Sequence, residues 1–331
     1  MAVRRRKQRR GRSYAWRYRG RIVACVFVEV LIICALVIMV GWNKGVKEWF
    51  EQFEQPVLKE VDISGINSPN AILMHARGGK VLGEINGDEK IYPASMTKIM
   101  TVILGIENFD DLDEKITLTD EMFAGLYEQD ATQAGFQPGE EVRVIDLLYG
   151  AMLPSGAECC IALADTISGS EADFAELMNK KAAKLGMDNT HFCDSTGLHN
   201  PDHYSTVKDI AVLMKYCIKN DTFREIIETA RHSTGVTNIH PDGITYYSTM
   251  FKNLSDSTVT GGKILGGKTG YTSEAGHCLV SFAEIEGREY IFVSAGASGA
   301  DGNTIPHIQD AVTVYNRVGA AIEAKMNDNN K

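Results

Sequence analysis

Residues 276–297 read GHCLVSFAEIEGREYIFVSAGA. Two runs rich in β-branched and aromatic residues, Gly276 to Glu284 and Glu289 to Ala297, flank the turn residues Ile285-Glu286-Gly287-Arg288, the pattern of a β-hairpin. Two shorter strands stand far upstream, Ala71 to Met74 and Lys80 to Glu84, joined through Arg77-Gly78-Gly79. Between these pairs, apolar residues recur at helical spacing. The helices expected are Ser95 to about Glu107, Ile145 to Met152, Ala157 to Ile167, Glu171 to Leu185 and Val207 to Ile218. A last helix, from about Ile308 to Ala324, carries Ile308, Ala311, Val312, Tyr315, Val318 and Ile322 on its inner face. Strands at both ends of the chain and helices between them predict an α+β domain, one antiparallel sheet flanked by helices plus a helical lobe.

Apolar residues make up 44% and charged residues 23% of the 331, which excludes wholesale disorder. The net charge of −9 conceals an asymmetry, because ten bases and no acid lie between Arg4 and Arg21. That leaves 24 bases against 43 acids in the remainder. Ile22 to Val40 follows the basic block and is apolar except for Glu29. At about 1.5 Å per residue it reaches the roughly 30 Å of a bilayer core. Bases ahead of such a span hold its N-terminus in the cytoplasm, and Gly41-Trp42-Asn43-Lys44 offers no small-x-small cleavage site. The expectation is a basic cytoplasmic segment over 1–21 and one transmembrane signal anchor over 22–42. An amphipathic stalk over 43–62, a folded body over 63–326 and a polar tail over 327–331 complete the division. The anchor makes membrane lipid the partner of the basic block, with no nucleic acid, and places the body outside the cytoplasm. Disulfides are permitted there, yet Cys159, Cys160, Cys193, Cys217 and Cys278 are odd in number and are expected to be mostly free thiols.

Three short motifs carry chemistry. Tyr92-Pro93-Ala94-Ser95-Met96-Thr97-Lys98 sets a serine and a lysine three apart at the start of a helix, on one face, where backbone N–H groups favour developing negative charge. A lysine works as a base when its pKa is lowered, which burial beside another cation does. Leu153-Pro154-Ser155-Gly156-Ala157 puts a serine in a turn between two helices, a pattern shared with ordinary helix N-caps. Leu265-Gly266-Gly267-Lys268-Thr269-Gly270-Tyr271 enters a strand, where Lys268 can meet a carboxylate and Gly270 lets a ligand backbone approach. His191, His203 and His277 lack the spacing of a zinc site and are expected to serve as core or hydrogen-bonding residues. No metal and no cofactor is expected.

Together the motifs resemble those of the penicillin-recognising serine enzymes, S-x-x-K, a serine-centred second motif and K-T-G. Thr190-His191-Phe192, Thr196-Gly197-Leu198, His203-Tyr204-Ser205-Thr206 and Gly267-Lys268-Thr269-Gly270-Tyr271-Thr272 narrow the resemblance to the low-molecular-mass penicillin-binding proteins, the serine-type D-alanyl-D-alanine carboxypeptidases. The likeness covers about Ile63 to Ala324. It implies a β-lactamase/DD-peptidase-like fold. It also implies peptidoglycan stem peptides ending in D-Ala-D-Ala as substrate, and β-lactam antibiotics as covalent inhibitors. By position, it implies Ser95 as the nucleophile that forms the acyl-ester, Lys98 as general base and Ser155 as proton relay. The backbone N–H groups of Ser95 and Tyr271 would form the oxyanion hole, with Lys268, Thr269 and Gly270 binding substrate.

One position departs from the family. The second motif is usually Ser-x-Asn, and here the third place is Ala157, which predicts altered efficiency rather than loss. A weakly active or non-catalytic penicillin-binding regulatory module is therefore an alternative. A β-lactamase is a further one, although neither a Ser-Asp-Asn motif nor a deacylating glutamate is visible. About sixty residues follow the K-T-G motif, so the extra C-terminal β-domain of many relatives is not expected in this sequence.

Overall fold

The computed structural model describes residues 58–299 and 305–329. The basic block, the anchor and the stalk up to residue 57 lie outside the described residues. The strands are β1 (Asn70–His75), β2 (Val81–Ile85), β3 (Lys115–Thr117), β4 (Glu141–Arg143) and β5 (Arg231–Ser233). They continue with β6 (Thr245–Tyr247), β7 (Thr258–Val259), β8 (Gly262–Thr272), β9 (Gly276–Ile285) and β10 (Arg288–Ala297). The helices are α1 (Lys98–Asn108), α2 (Val144–Met152), α3 (Ala157–Ser168), α4 (Glu171–Leu185), α5 (Val207–Cys217), α6 (Asp221–Glu228), α7 (Thr249–Asn253) and α8 (Pro306–Asn329).

The main sheet runs β2-β1-β10-β9-β8-β7 and is antiparallel throughout, so the two ends of the chain meet at its centre. Strand alternation divides its side chains between two cores. Ile72, Met74, Val280, Phe282, Ile291 and Val293 face the helical lobe and pack with Ile99, Val102 and Ile210. Leu73, Leu279, Tyr290 and Phe292 face the other way, onto Ile308, Ala311, Val314, Tyr315, Val318 and Ile322 of α8. Val314 occupies the interior that the sequence pattern assigned to Val312, which is only partly buried. The last helix also runs to Asn329, because no proline or glycine stops it at Ala324.

The folded body begins before Ile63. Leu58 and Val61 are buried in the α8-side core, and the Val61 N–H donates to the Leu82 carbonyl at 2.7 Å. The end of the expected stalk is thus part of the domain, because its apolar residues find a sheet face to cover. Three-residue strands β3 with β4 and β5 with β6 form two small sheets too short to leave a period in the sequence. Helix α6 was also missed. Its signal was the Asn220 side chain capping the Phe223 N–H, with Phe223, Ile226 and Ile227 buried.

Asp310 ties α8 to the segment before β1. Its carboxylate, 1% exposed, accepts from Asn67 N (2.8 Å), Asn67 Nδ2 (2.7 Å), Ser68 N (2.9 Å) and Ser68 Oγ (2.6 Å). Asp310→Ala strands four donors and is expected to cost about 2–3 kcal/mol in a denaturant melt. A loss below about 1 kcal/mol would mean that water replaces the carboxylate.

Candidate active site

The Ser95 turn forms where Pro93 leads into a 3-10 turn, Ala94–Thr97, that continues directly into α1. Lys98 Nζ lies 3.0 Å from Ser95 Oγ, since residues three apart in such a turn share a face. It also donates to the Thr196 carbonyl at 2.8 Å and is 4% exposed. Burial depresses the Lys98 pKa, against the opposing pull of Cys160, Asp194, Glu158 and Cys159.

The second serine sits in the loop between α2 and α3. Gly156 occupies the α3 N-cap position, and no side chain caps that helix. Ser155 instead receives a hydrogen bond from Lys268 Nζ at 2.9 Å, so it is not the N-cap that its setting also suggested. It does so at φ +75°, a left-handed conformation that costs a non-glycine residue about 1–2 kcal/mol. The turn is held by Gly156 N–H to the Gly150 carbonyl and Ala157 N–H to the Thr132 carbonyl, both 2.8 Å. Ala157 is fully buried at the start of α3 and carries no group that could reach either lysine by a hydrogen bond. The adjacent Glu158 turns elsewhere, accepting from Ala134 N (2.6 Å) and Gly135 N (3.0 Å).

Lys268 comes from β8 and is 1% exposed, with Thr269 O as its second acceptor at 2.9 Å. Burial first, and then the Lys98 charge, push its pKa well below the ordinary value. Two adjoining buried amines therefore resist carrying charge together. The arrangement is one serine hydroxyl on each of two buried lysines, the chemistry of nucleophile activation and proton transfer.

The family description D-alanyl-D-alanine carboxypeptidase, peptidase S11, matches residues 57–299. The chain belongs to this family. Among S11 proteins, D-alanyl-D-alanine carboxypeptidase DacF of Bacillus subtilis is 36% identical over 231 residues, covering 69% of this chain and 57% of that protein. DacC of Escherichia coli is 35% identical over 262 residues, covering 72% and 58%. This chain thus spans somewhat more than half the length of these two relatives. The crystal structure of the Streptomyces K15 DD-transpeptidase superposes with a TM-score of 0.69 at 29% identity, over 79% of this chain and all of that one. The S11 fold, a sheet with a helical lobe, is the fold described above.

Gly270 also has a packing reason to be glycine. A Cβ there would lie 3.0 Å from Ser95 N, 3.1 Å from Ala94 Cβ and 3.2 Å from the Pro93 carbonyl. The bare strand at this point lets the Ser95 turn seat against it. β7 pairs only with Gly262 and Lys263, so past that point this edge of β8 has no strand partner among the described residues. Thr269 Oγ1 lies 2.7 Å from Thr249 Oγ1, and Tyr271 is 61% exposed.

Sequence reasoning did not single out Thr97, Asp194 or the carbonyl of Thr196, which the fold brings onto this cluster. Of the three histidines weighed, His203 is buried beside Thr97 (Nε2 to Oγ1, 2.9 Å). The imidazole of His191 lies 2.7 Å from the Asp202 carbonyl, and His277 packs at 5.0 Å between ring centres on His307. The five cysteines among the described residues form no disulfide there, and all but Cys193 are buried. A cavity of about 920 Å³, lined by Arg77, Lys80, Lys215, Lys219 and Arg288 among others, contains none of the site residues.

Proposed function

We propose that this protein is a membrane-anchored serine D-Ala-D-Ala carboxypeptidase that trims peptidoglycan stem peptides through an acyl-enzyme on Ser95. The observation that carries the reading is the pairing of Ser95 with Lys98 and of Ser155 with Lys268 in one buried cluster at β8. Membership of the S11 family supports it. Lys98, whose pKa burial lowers, removes the Ser95 proton as Oγ attacks the carbonyl between the two D-alanines. The N–H groups of Ser95 and Tyr271 receive the oxyanion, which the closeness of Gly270 to Ser95 N supports. Ser155 passes a proton to the departing D-Ala amine. Lys268 and Thr269 attract the terminal carboxylate, and water then cleaves the ester. The span over 22–42 tethers the domain to the outer face of the membrane, and β-lactams acylate the same serine.

The test is release of D-Ala from a diacyl-L-Lys-D-Ala-D-Ala peptide by the full-length protein, with intact mass after penicillin and peptide mapping of the adduct. Expected are D-Ala release and one penicilloyl group on Ser95. An adduct without release would leave a penicillin-binding module, and rapid penicillin turnover would point to a β-lactamase. Failure of both readouts sinks the proposal. The likeness to a DD-transpeptidase favours one further arm, an added amine acceptor, which captures the acyl group if transfer competes with hydrolysis.

A further inference from the structure

The stretch Asp194-Ser195-Thr196-Gly197, with His203, takes no part in the bond-making steps, yet it closes a ring around the base. Asp194 Oδ1 accepts from Thr196 N, Thr196 Oγ1 and Gly197 N, each at 2.7 Å. Its other oxygen lies 3.2 Å from His203 Nδ1. Nδ1 also lies 3.3 Å from the Cys193 N–H, and on the far side of the ring Nε2 lies 2.9 Å from the Thr97 hydroxyl, so the imidazole bridges the Asp194 loop to Thr97. Thr97 is the residue before Lys98, and Thr196 supplies the carbonyl to which the Lys98 amine donates. Thr97 and His203 are 0% and 2% exposed, so water does not compete for these bonds. Burial would raise the Asp194 pKa, but the bonds from His203 and Thr196 outweigh it and hold it at about 2.

A lysine amine sits on a flexible four-carbon stem and does not aim itself. A neutral amine has two N–H bonds and one lone pair. One N–H spent on a fixed carbonyl holds the nitrogen beside Ser95 Oγ, where its lone pair can take the hydroxyl proton. We propose that Asp194 and His203 are positioning residues for the general base, clamping the Thr196 carbonyl against Lys98 and, through Thr97, locking that carbonyl to the nucleophile turn. The inference rests on the reading of Ser95 and Lys98 as nucleophile and base. It assigns to the Asp194–His203 pair work that Ala157 cannot do from the second motif.

The charged and titratable groups around Lys98 are Glu158, Cys159 and Cys160 on α3, Asp194 on the loop and Lys268 on β8. Asp194 favours the Lys98 ammonium, so removing its charge makes Lys98 neutral at lower pH. The experiment measures the second-order rate of Ser95 acylation by penicillin, by intact mass from pH 5 to 10, in the full-length protein. Rates are scaled to the fraction of protein that can be acylated. Asp194→Asn and Thr97→Val are each expected to slow acylation about 10–100-fold, the range for groups that orient a reacting ligand. Thr97→Ser, which keeps the hydroxyl, should stay within about threefold of wild type. The acid limb of the Asp194→Asn profile should move to lower pH by at least about half a unit. A merely structural residue would lower the whole profile and leave that limb in place, which overturns the proposal. Wild-type rates in both Asp194→Asn and Thr97→Val overturn it too. Should Asp194→Asn not fold, the contrast of Thr97→Val with Thr97→Ser decides alone. A wild-type protein that penicillin never acylates removes the underlying reading of Ser95, and this inference with it.

Discussion

Lys98→Met is expected to slow acylation of Ser95, and D-Ala release with it, by about 10⁴-fold or more while leaving the protein folded. Methionine matches the length of the lysine stem and fits a position that is 4% exposed. It removes the group proposed to take the Ser95 proton, and among the described residues no other amine is bonded to that hydroxyl. The Thr196 carbonyl loses a donor, at a cost of about 1–2 kcal/mol. Against this stands relief from holding an amine out of water, which burial already disfavours. Stability should therefore stay within about 1 kcal/mol of wild type. Stopped-flow acylation and a thermal melt on the same sample check both halves. A loss of rate below about tenfold would mean that Lys98 is not the base.

Gly197→Ala is expected to be the most destabilising single change in the site, by about 4 kcal/mol or more. Gly197 has φ +80°, which costs an alanine about 1–2 kcal/mol before any contact is considered. Its Cβ would also lie 1.9 Å from the Ala94 carbonyl oxygen and 2.8 Å from Thr97 Oγ1. Ala94 is itself left-handed at φ +46° and directly precedes Ser95, so the backbone has little freedom to retreat. Relief by shifting Ala94 would move the nucleophile away from Lys98. Chemical denaturation and the acylation rate should thus fall together. Either one unchanged would mean that the loop, and not the nucleophile turn, gives way.

The hairpin at 276–297 was legible because strand alternation and turn residues are local. So was the Ser95–Lys98 pair, since spacing within a helical turn brings residues three apart together. Ser155 was legible as a position but not as a contact. An ordinary N-cap and a serine bonded to Lys268 read alike in the text, and a separation of 113 residues hides the bond. Gly270 was legible as a bare place on the strand but its packing was not, because sequence reveals the missing side chain and not which neighbour lies beside it. Asp194 was not marked at all, and His203 was read as family text and as a core or hydrogen-bonding residue without a named partner. A histidine in a loop suggests packing or solvent, and only the chain path past Thr97 gives it a partner.

The sequence by itself determined the fold class, the nucleophile turn, and the family text that surrounds both serines. These depend on periodicity and on spacings within one element, which the backbone enforces locally. Tertiary structure alone decided that Lys98 and Lys268 share one buried site, that β8 seats the Ser95 turn at Gly270, and that the Thr196 carbonyl reaches Lys98. Those facts depend on packing between elements as much as a hundred residues apart, and the depressed pKa of each lysine comes first from the burial that such packing creates.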